Sequence, residues 1–519
     1  MLPDNLGYLF DVPLALAPSR PALLQGDRVV TYGELDARTN RMANVLAGLG
    51  VREGSRVALM FGNDFRFVEA LLAPMRLGAV SVPLNTRMGD DALAYVLADA
   101  EAPVVVASAS MAARATALAA RVATVRHVVA DGPGLDGALP YEEVLAAASP
   151  VLARRRTDPD EICMQPYTSG STGKPKGVLL AHAGQIWNAD VARKAHVLDA
   201  EERALVAVPL FHKNAMIGAV KPLLLAGGSI VILPGFDAGE VIRAIERYRV
   251  TYMTGVPAMY KMILAETGLL ARHDVRSLRY ALCGSAEVPE DLLEAFTRVF
   301  GADISESYGL TEGGPVPITN TRWGLKRRGS CGRAFPGCEV KLVGPDGTTE
   351  VGVDEPGELV TRNPGLARGY WKLPEATAQK FRDGWLHTGD LMRRDADGFF
   401  YFIGRKDDMI NVAGENVYPK EVEDILLAHP NLRDAAVVPA PHGVKGEVPV
   451  AFVVEREKGR TTEDEVKRFF LERGAPYAHP RRVYFLDALP LGGTGKLDRA
   501  ALKQRARERA RPDDAGPGR

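Results

Sequence analysis

Residues Tyr167 to Leu180 read YTSGSTGKPKGVLL, two hydroxyl-rich glycine steps followed by two lysines and an apolar run. Gly170 and Gly173 let backbone N–H groups turn into one concavity, Thr168, Ser169, Ser171 and Thr172 add hydroxyl donors, and Lys174 and Lys176 add positive charge. The stretch therefore reads as a phosphate cradle. A Walker loop would need GxxxxGK[ST] running straight into a helix. Here Thr168 stands where the first glycine belongs and Pro175 follows Lys174, which opposes a helix start and disfavours a Walker-type NTPase. The run Val178, Leu179, Leu180 predicts instead a loop that joins two strands. A solvated Gly/Ser surface loop is the plain alternative, and the lysine pair and strand flanks weigh against it.

Working outward, strand and helix patterns alternate on both sides of the loop. Thr31 and Glu34 have the spacing of a capping box, and Leu35, Thr39, Met42, Leu46 and Leu49 share one helical face. Arg56 to Met60, Val80 to Leu84 and Pro103 to Ala107 read as strands, with a helix over Phe65 to Leu77. The cycle resumes with strands at Leu205 to Pro209, Ser229 to Leu233, Thr251 to Thr254 and Tyr280 to Cys283. The expected fold class is α/β, with parallel sheets covered by helices. From about Gly329 to Gly404 short strands and turns (GPDG, DEPGE, RNPG, DADG) predict a small β-rich subdomain. Residues 1–404 then form a large N-terminal domain, and residues 405–519 a smaller, mobile α+β lid domain. No internal repeat is visible.

With 519 residues, 46% of them hydrophobic, the chain can bury a core large enough for at least two domains. Its 64 basic and 65 acidic residues leave a net charge of −1, so no global charge draws it to nucleic acid or to an anionic membrane. Cys163, Cys283, Cys331 and Cys338 lack zinc or redox spacing, which fits reduced thiols and no structural metal. No apolar stretch reaches membrane-spanning length and the first residues lack a signal peptide's pattern, so a cytoplasmic enzyme acting on small molecules is expected.

Seven segments together resemble the adenylate-forming superfamily of acyl-CoA synthetases, luciferases and peptide-synthetase adenylation domains. They are YTSGSTGKPKGV at 167–178, VPLFH at 208–212, CGSAE at 283–287, ESYGLTE at 306–312, GWLHTGD at 384–390, GRKDDMINVAGENVYPKEVE at 404–423 and GGTGKLDR at 492–499. The resemblance spans nearly the whole chain and rests on their shared order. It implies an AMP-forming ligase that uses ATP, Mg2+ and coenzyme A. In ESYGLTE, Tyr308 suits stacking on adenine, while Thr311 and Glu312 face phosphate and magnesium, which prefers oxygen ligands and needs few from protein. Gly284, Ser285 and Ala286 resemble the adenine-binding backbone, with Glu306, Ser307 and Gly309 flanking the tyrosine. Asp390 resembles the ribose ligand, Arg405 a second ribose or phosphate contact, and Asp407 the hinge residue of a lid with two orientations. Lys496 resembles the lysine that bridges the carboxylate and α-phosphate during adenylation, acting with Thr172, His212 and Glu312 as the catalytic set. Gly414, Glu415 and Asn416, after Val412 and Ala413, resemble the segment that flanks the pantetheine tunnel of CoA, whereas Ala478 replaces a lysine found in many relatives.

His212 resembles the residue at the mouth of the acid pocket. Lys213 and Asn214 bring polarity beside it, and Gly313, Gly314, Pro315 and Val316 are expected to line the same cavity. A short or medium acid with a polar substituent, such as a hydroxy acid, is the expected substrate. Three alternatives stay open: a medium-chain or aryl acid, a stand-alone enzyme that loads a carrier protein in trans, and a nucleotide-binding paralogue without catalysis. A homodimer also stays open.

Overall fold

The alternation of short β-branched runs with amphipathic helices folds into two large sheets whose central strands run parallel. The computed structural model describes residues 2–132, 137–169, 174–284, 288–314, 317–443, 445–490 and 497–509. The chain divides into two units. The first holds residues 1–340, 360–388 and 398–400, and the second holds 341–359, 389–397 and 401–519.

In the first unit a nine-stranded sheet runs in the order Arg333–Ala334, Ile318–Thr319, Asp303–Tyr308, Tyr280–Gly284, Tyr252–Gly255, Arg203–Val206, Ser229–Ile232, Pro21–Gln25 and Arg28–Thr31. Its six inner strands pair in parallel, and antiparallel strands close both edges. A seven-stranded sheet runs Leu180–Ala181, Ile162–Met164, Val80–Pro83, Arg56–Met60, Val104–Ala107, His127–Val129 and Ala138–Leu139. Strands such as Val104–Ala107 and Ser229–Ile232 are buried at every position, which is what helices on both faces of a parallel sheet require. One core cluster takes Leu59 and Val106 from one sheet, Leu205 and Val231 from the other, and Leu35, Met42 and Leu46 from the helix Tyr32–Gly48.

That helix shows why the expected capping box forms only in part. Thr31 Oγ1 accepts the Glu34 N–H at 3.2 Å, but the Glu34 carboxylate is drawn to the Arg28 guanidinium rather than back to the cap. The full box appears instead at Thr462 and Glu465, ahead of the helix Glu463–Leu471.

The β-rich stretch expected after Gly329 contains the strands Glu339–Val343, Gly357–Arg362, Phe381–Arg382, Trp385–Arg394 and Phe400–Arg405. The second unit has its own five-stranded sheet, Glu415–Val417, Ile410–Val412, Gly446–Glu455 and Leu432–His442, with Arg482–Phe485 beside Gly446–Glu455. Alternation along these strands sends Val437, Ala451 and Val453 to one apolar cluster and Ala436, Val438, Val450 and Phe452 to another. The helices Pro419–Leu427 and Glu463–Leu471 cover the first cluster, and Arg499–Arg509 covers the second through Leu502 and Ala506. Among the described residues no helix is long and apolar enough to cross a membrane.

The two-residue turn Ala413-Gly414 joins Ile410–Val412 to Glu415–Val417, and both residues have positive φ, 54° and 99°. Such a turn favours Asn or Gly at its first position. Ala413 is strained there by its Cβ, so Ala413→Gly is expected to stabilise the second unit by about 1 kcal/mol. A thermal melt of that variant with an unchanged or lower midpoint would contradict this.

Candidate active site

The strands Tyr280–Gly284 and Asp303–Tyr308 lie side by side in parallel, so Cys283 pairs with Glu306 and Gly284 with Ser307 at their carboxyl ends. Open α/β sheets bind ligands at that end. Two motifs separate in sequence are thereby joined by the sheet register. Glu306 Oε1 accepts the Val288 N–H at 2.9 Å and holds the returning chain. Beyond Tyr308 the chain makes a short 3-10 turn, Thr311–Gly313. Gly314 ends it with φ +85°, and a Cβ there would lie 2.2 Å from the Gly365 carbonyl oxygen, so only glycine fits.

This turn delivers Glu312 to the hairpin of the glycine-lysine loop. Tyr167–Ser169 and Pro175–Gly177 pair antiparallel, with Lys176 opposite Thr168, so the lysine-bearing loop does join two strands. Glu312 is 9% exposed, and its Oε1 accepts hydrogen bonds from Thr168 Oγ1 at 3.3 Å and Tyr370 Oη at 3.0 Å. Lys176 Nζ stands 5.5 Å from the centre of the Tyr370 ring. Lys174 leans instead toward the Tyr95 ring, also at 5.5 Å. Tyr370 was not among the sequence candidates. It is placed by backbone pairing of residues 368–371 with the strand after the loop, through Arg368 N–H to Leu179 O at 2.8 Å and Trp371 N–H to Gly177 O at 2.8 Å. No local pattern in RGYWK announces that partnership.

Of the residues expected around the acid, Lys213 and Asn214 line one cavity, and His212 stands next to them in the chain. His212 caps the helical segment that starts at Lys213, its Nδ1 accepting the Asn214 N–H at 3.2 Å. Lys213 Nζ donates to the Gly309 carbonyl. Asn214 Nδ2 donates to Gly255 O at 3.2 Å, and the Thr254 hydroxyl donates to Asn214 Oδ1. Lys213, Asn214, Thr254, Gly284, Ser307 and Gly309 line this cavity together with the apolar Ala192, Ile217, Leu282 and Phe335. His196 completes the wall, its Nδ1 2.7 Å from Tyr280 Oη, and burial lowers its pKa to about 3, so the ring is neutral at physiological pH. His196 and Thr254 were missed because each sits in an ordinary apolar pattern. Gly313 and Gly314 lie beside Glu312 instead of among the residues lining this cavity.

In the second unit, Arg405 Nη1 and Asp390 Oδ1 are 2.7 Å apart, which brings two predicted nucleotide contacts together across 15 residues of chain. Glu358 ties down the same region, accepting from Gly389 N–H at 3.1 Å and Lys406 Nζ at 3.0 Å. Asp407 is exposed in the turn Lys406–Asp408, whereas its neighbour Asp408 is ion-paired with Lys503 at 2.7 Å. Gly414, Glu415 and Asn416 form the exposed hairpin end, where Gly414 N–H donates to Asn411 Oδ1 at 2.9 Å. Gly170, Ser171, Thr172, Gly173, Ser285, Ala286, Pro315, Val316 and Lys496 lie outside the described residues, as does the side chain of Ser169.

The donors around Glu312 suit magnesium. Both hydroxyls go to Oε1, and among the described residues no side chain donates to Oε2 of this hard carboxylate. Among the described residues no group of three or more His, Cys, Asp or Glu could hold a metal by itself. One carboxylate plus phosphate oxygens is how Mg2+ is commonly held with a nucleotide.

The AMP-binding enzyme family model matches residues 10–371, and the model of its C-terminal domain matches 421–496. The feruloyl-CoA synthase of an Amycolatopsis species is 38% identical over 491 residues, covering 94% of this chain and 96% of that protein. The crystal structure of an anthranilate CoA ligase in complex with anthranoyl-AMP superposes with a TM-score of 0.90 at 29% identity, covering 98% of both chains. The O-succinylbenzoate coenzyme A synthetase of Bacillus subtilis, in complex with ATP and magnesium ion, gives a TM-score of 0.83 at 29% identity over 96% of this chain and 98% of that one. With these matches along nearly the whole chain, it belongs to the AMP-binding enzyme family, as an adenylate-forming acid–CoA ligase.

Proposed function

We propose that this ligase activates an aromatic carboxylic acid bearing a polar substituent, a hydroxylated aryl or cinnamate-type acid, and transfers it to coenzyme A. The observation that carries this reading is the mixed cavity wall. Ile217, Leu282 and Phe335 offer apolar surface for a ring, while Asn214 and Thr254 bring polar tips. The Thr254 proton is committed to Asn214, so its oxygen is left as an acceptor suited to a substrate hydroxyl. The aromatic acids named for the relatives support the same substrate class.

In the first half-reaction a carboxylate oxygen attacks the α-phosphorus of ATP and pyrophosphate leaves. In the second, the CoA sulfur attacks the activated carbonyl, its proton is lost and AMP leaves. Both steps run by positioning, without a protein nucleophile. Thr168, Lys176 and the hairpin backbone orient the β- and γ-phosphates, and Glu312 would hold magnesium, which when bound offsets phosphate charge. Tyr308 stacks on adenine beside Gly284, Asp390 with Arg405 takes the ribose, and Lys496 stabilises charge growing on the α-phosphate. Asp407 serves as the hinge between the two half-reactions, and Gly414 to Asn416 meet pantetheine in the second.

A panel of hydroxylated aryl, unsubstituted aryl and linear acids, followed by CoA consumption, tests the substrate class. Hydroxylated aryl acids are expected to lead, and turnover confined to long-chain or unsubstituted acids would overturn it. Asn214→Leu should lower kcat/KM for the hydroxylated acid about tenfold and leave the unsubstituted one nearly unchanged.

A further inference from the structure

Behind the cavity the helical segment is interrupted. Lys213–Ala215 is α-helical, Met216–Val220 is a π-turn, and Lys221–Ala226 resumes the α-helix. The cause is local. Pro222 has no N–H to give to the Gly218 carbonyl four residues earlier, and the Lys221 N–H reaches back five residues to Met216 O instead. The π-turn carries Ile217 and Gly218 into the cavity wall. Gly218 is pressed there, since a Cβ on it would lie 2.8 Å from Thr254 Oγ1.

Lys221, whose backbone closes this turn, has its side chain in the core at 2% exposure. Its Nζ donates to Gln185 Oε1 at 2.7 Å, on the helix His182–Ala195 that packs alongside. Gln185 and Asn188, one turn apart on that helix, are also 2% exposed, and Gln185 Nε2 and Asn188 Oδ1 have no hydrogen-bond partner among the described residues. A charged lysine in an apolar core is costly unless it is paired and hydrogen-bonded, and here Gln185 supplies the acceptor.

We propose that Lys221 is a positioning residue for acid binding: its amine ties the end of the π-turn to Gln185, and this tie sets where Ile217 and Gly218 stand in the cavity wall. The inference rests on the cavity being the acid's site. Lys221 does not touch the cavity itself, so its effect reaches the acid through the turn. Burial lowers its pKa from 10.5 to about 7, with Cys163 on the strand Ile162–Met164 the titratable group that faces it. Burial pushes the Cys163 thiol up to about 12, so it stays neutral.

The other ionisable groups on neighbouring elements titrate elsewhere or are engaged. His182 is lowered to about 4, Asp190 pairs with Arg193 and Lys194, Asp11 pairs with Arg154, and the Tyr32 hydroxyl, whose pKa burial raises, donates to Gly228 O. Below about pH 7 the tie is a charge-assisted hydrogen bond, and it weakens as the amine loses its proton. Acid KM is therefore lowest below the inflection and rises above it. Stability moves the opposite way. The unfolded chain keeps this proton up to about 10.5, so between pH 7 and 10.5 it binds more protons than the folded chain and stability rises with pH.

The test compares wild type, Lys221→Met, Gln185→Glu and Asn214→Leu by steady-state kinetics from pH 6 to 9 and by thermal melts. Lys221→Met is expected to raise acid KM about tenfold, to leave ATP KM within about twofold and to abolish the inflection near pH 7. Gln185→Glu keeps the lysine, gives it a carboxylate and should move the inflection up by about one pH unit or more, a result available even if Lys221→Met folds poorly. An unchanged acid KM and pH profile in a folded Lys221→Met would overturn the proposal. So would a lower melting point with equal kcat losses for every acid, the behaviour of a lysine that only supports the fold. If Asn214→Leu alters acid KM and Lys221→Met does not, this inference falls alone. If neither does, the cavity is not the acid's and both readings fall.

Discussion

Glu312→Ala is expected to slow acid-dependent pyrophosphate release by about 10²–10³, a loss of roughly 3–4 kcal/mol of transition-state stabilisation. The carboxylate is almost buried, and two hydroxyls from distant parts of the chain converge on Oε1. Removing it takes one acceptor from each of Thr168 and Tyr370 and strips the carboxylate from beside the glycine-lysine hairpin. Glu312→Gln separates the effects, because it keeps a hydrogen-bond acceptor and loses the charge a magnesium ligand needs. It should resemble alanine in rate and wild type in melting temperature. Tyr370→Phe removes one hydrogen bond to a charged carboxylate, worth about 1.5–3 kcal/mol, so a fall of about tenfold or more is expected, short of that in the alanine variant. Thioester formation from pre-formed acyl-adenylate should change little in all three. A Glu312→Ala enzyme that keeps more than about a tenth of the wild-type adenylation rate would remove Glu312 from the proposed role.

Gly332→Ala is expected to be the most damaging small substitution in the first unit, costing about 3 kcal/mol or more. Gly332 has φ +102°, and a Cβ there would lie 2.0 Å from the Thr319 carbonyl carbon and 2.3 Å from Asn320 N. Both neighbours are backbone that cannot swing aside. Thr319 pairs with Ser307 across the sheet edge, and Asn320 N–H donates to Glu306 O at 3.0 Å. On its other side Gly332 is held by Phe400, whose N–H donates to Gly332 O at 2.9 Å. Relief would push the strand Ile318–Thr319 away from the strand that carries Glu306, Ser307 and Tyr308, so adenylation should fall with stability. Gly26→Ala is the control. Gly26 also has positive φ, 58°, but nothing lies within 4 Å of its Cβ position, so about 1–2 kcal/mol is expected. Equal melting temperatures for the two variants would contradict the packing explanation.

The parts of the site that could be read early are those whose chemistry is compressed into a few adjacent residues. YTSGSTGKPKGV shows its glycines, hydroxyls and lysines in one line, and Pro175 alone decides against a helix after it. ESYGLTE likewise displays an aromatic ring, Tyr308, four residues from a carboxylate, Glu312. Asp390 and Arg405 could be named for the same reason, though not their mutual contact at 2.7 Å. What escaped were residues whose meaning comes from a partner far away in sequence. Tyr370 lies 58 residues from Glu312, and it reaches the site only because residues 368–371 pair with the strand after the loop. His196 looks like the end of one helix, and Thr254 like one position in a buried strand. The Thr31 cap was legible, but its capping box was not, because Arg28 competes for Glu34.

By itself the sequence determined the alternation of strand and helix, the joining of two strands by the glycine-lysine loop, and the family, because each is a pattern of neighbouring residues governed by local backbone geometry and side-chain chemistry. Tertiary structure alone decided that Glu312 receives its two hydroxyls, that Asn214 and Thr254 share one cavity with Ile217, and that Lys221 is a core residue behind it. Pro222 and the missing N–H are visible in the sequence, but where the resulting π-turn points depends on the helix packed against it. Sheet register and helix packing convert separations of tens of residues into contacts of 3 Å, and no local pattern encodes which distant strands will become neighbours.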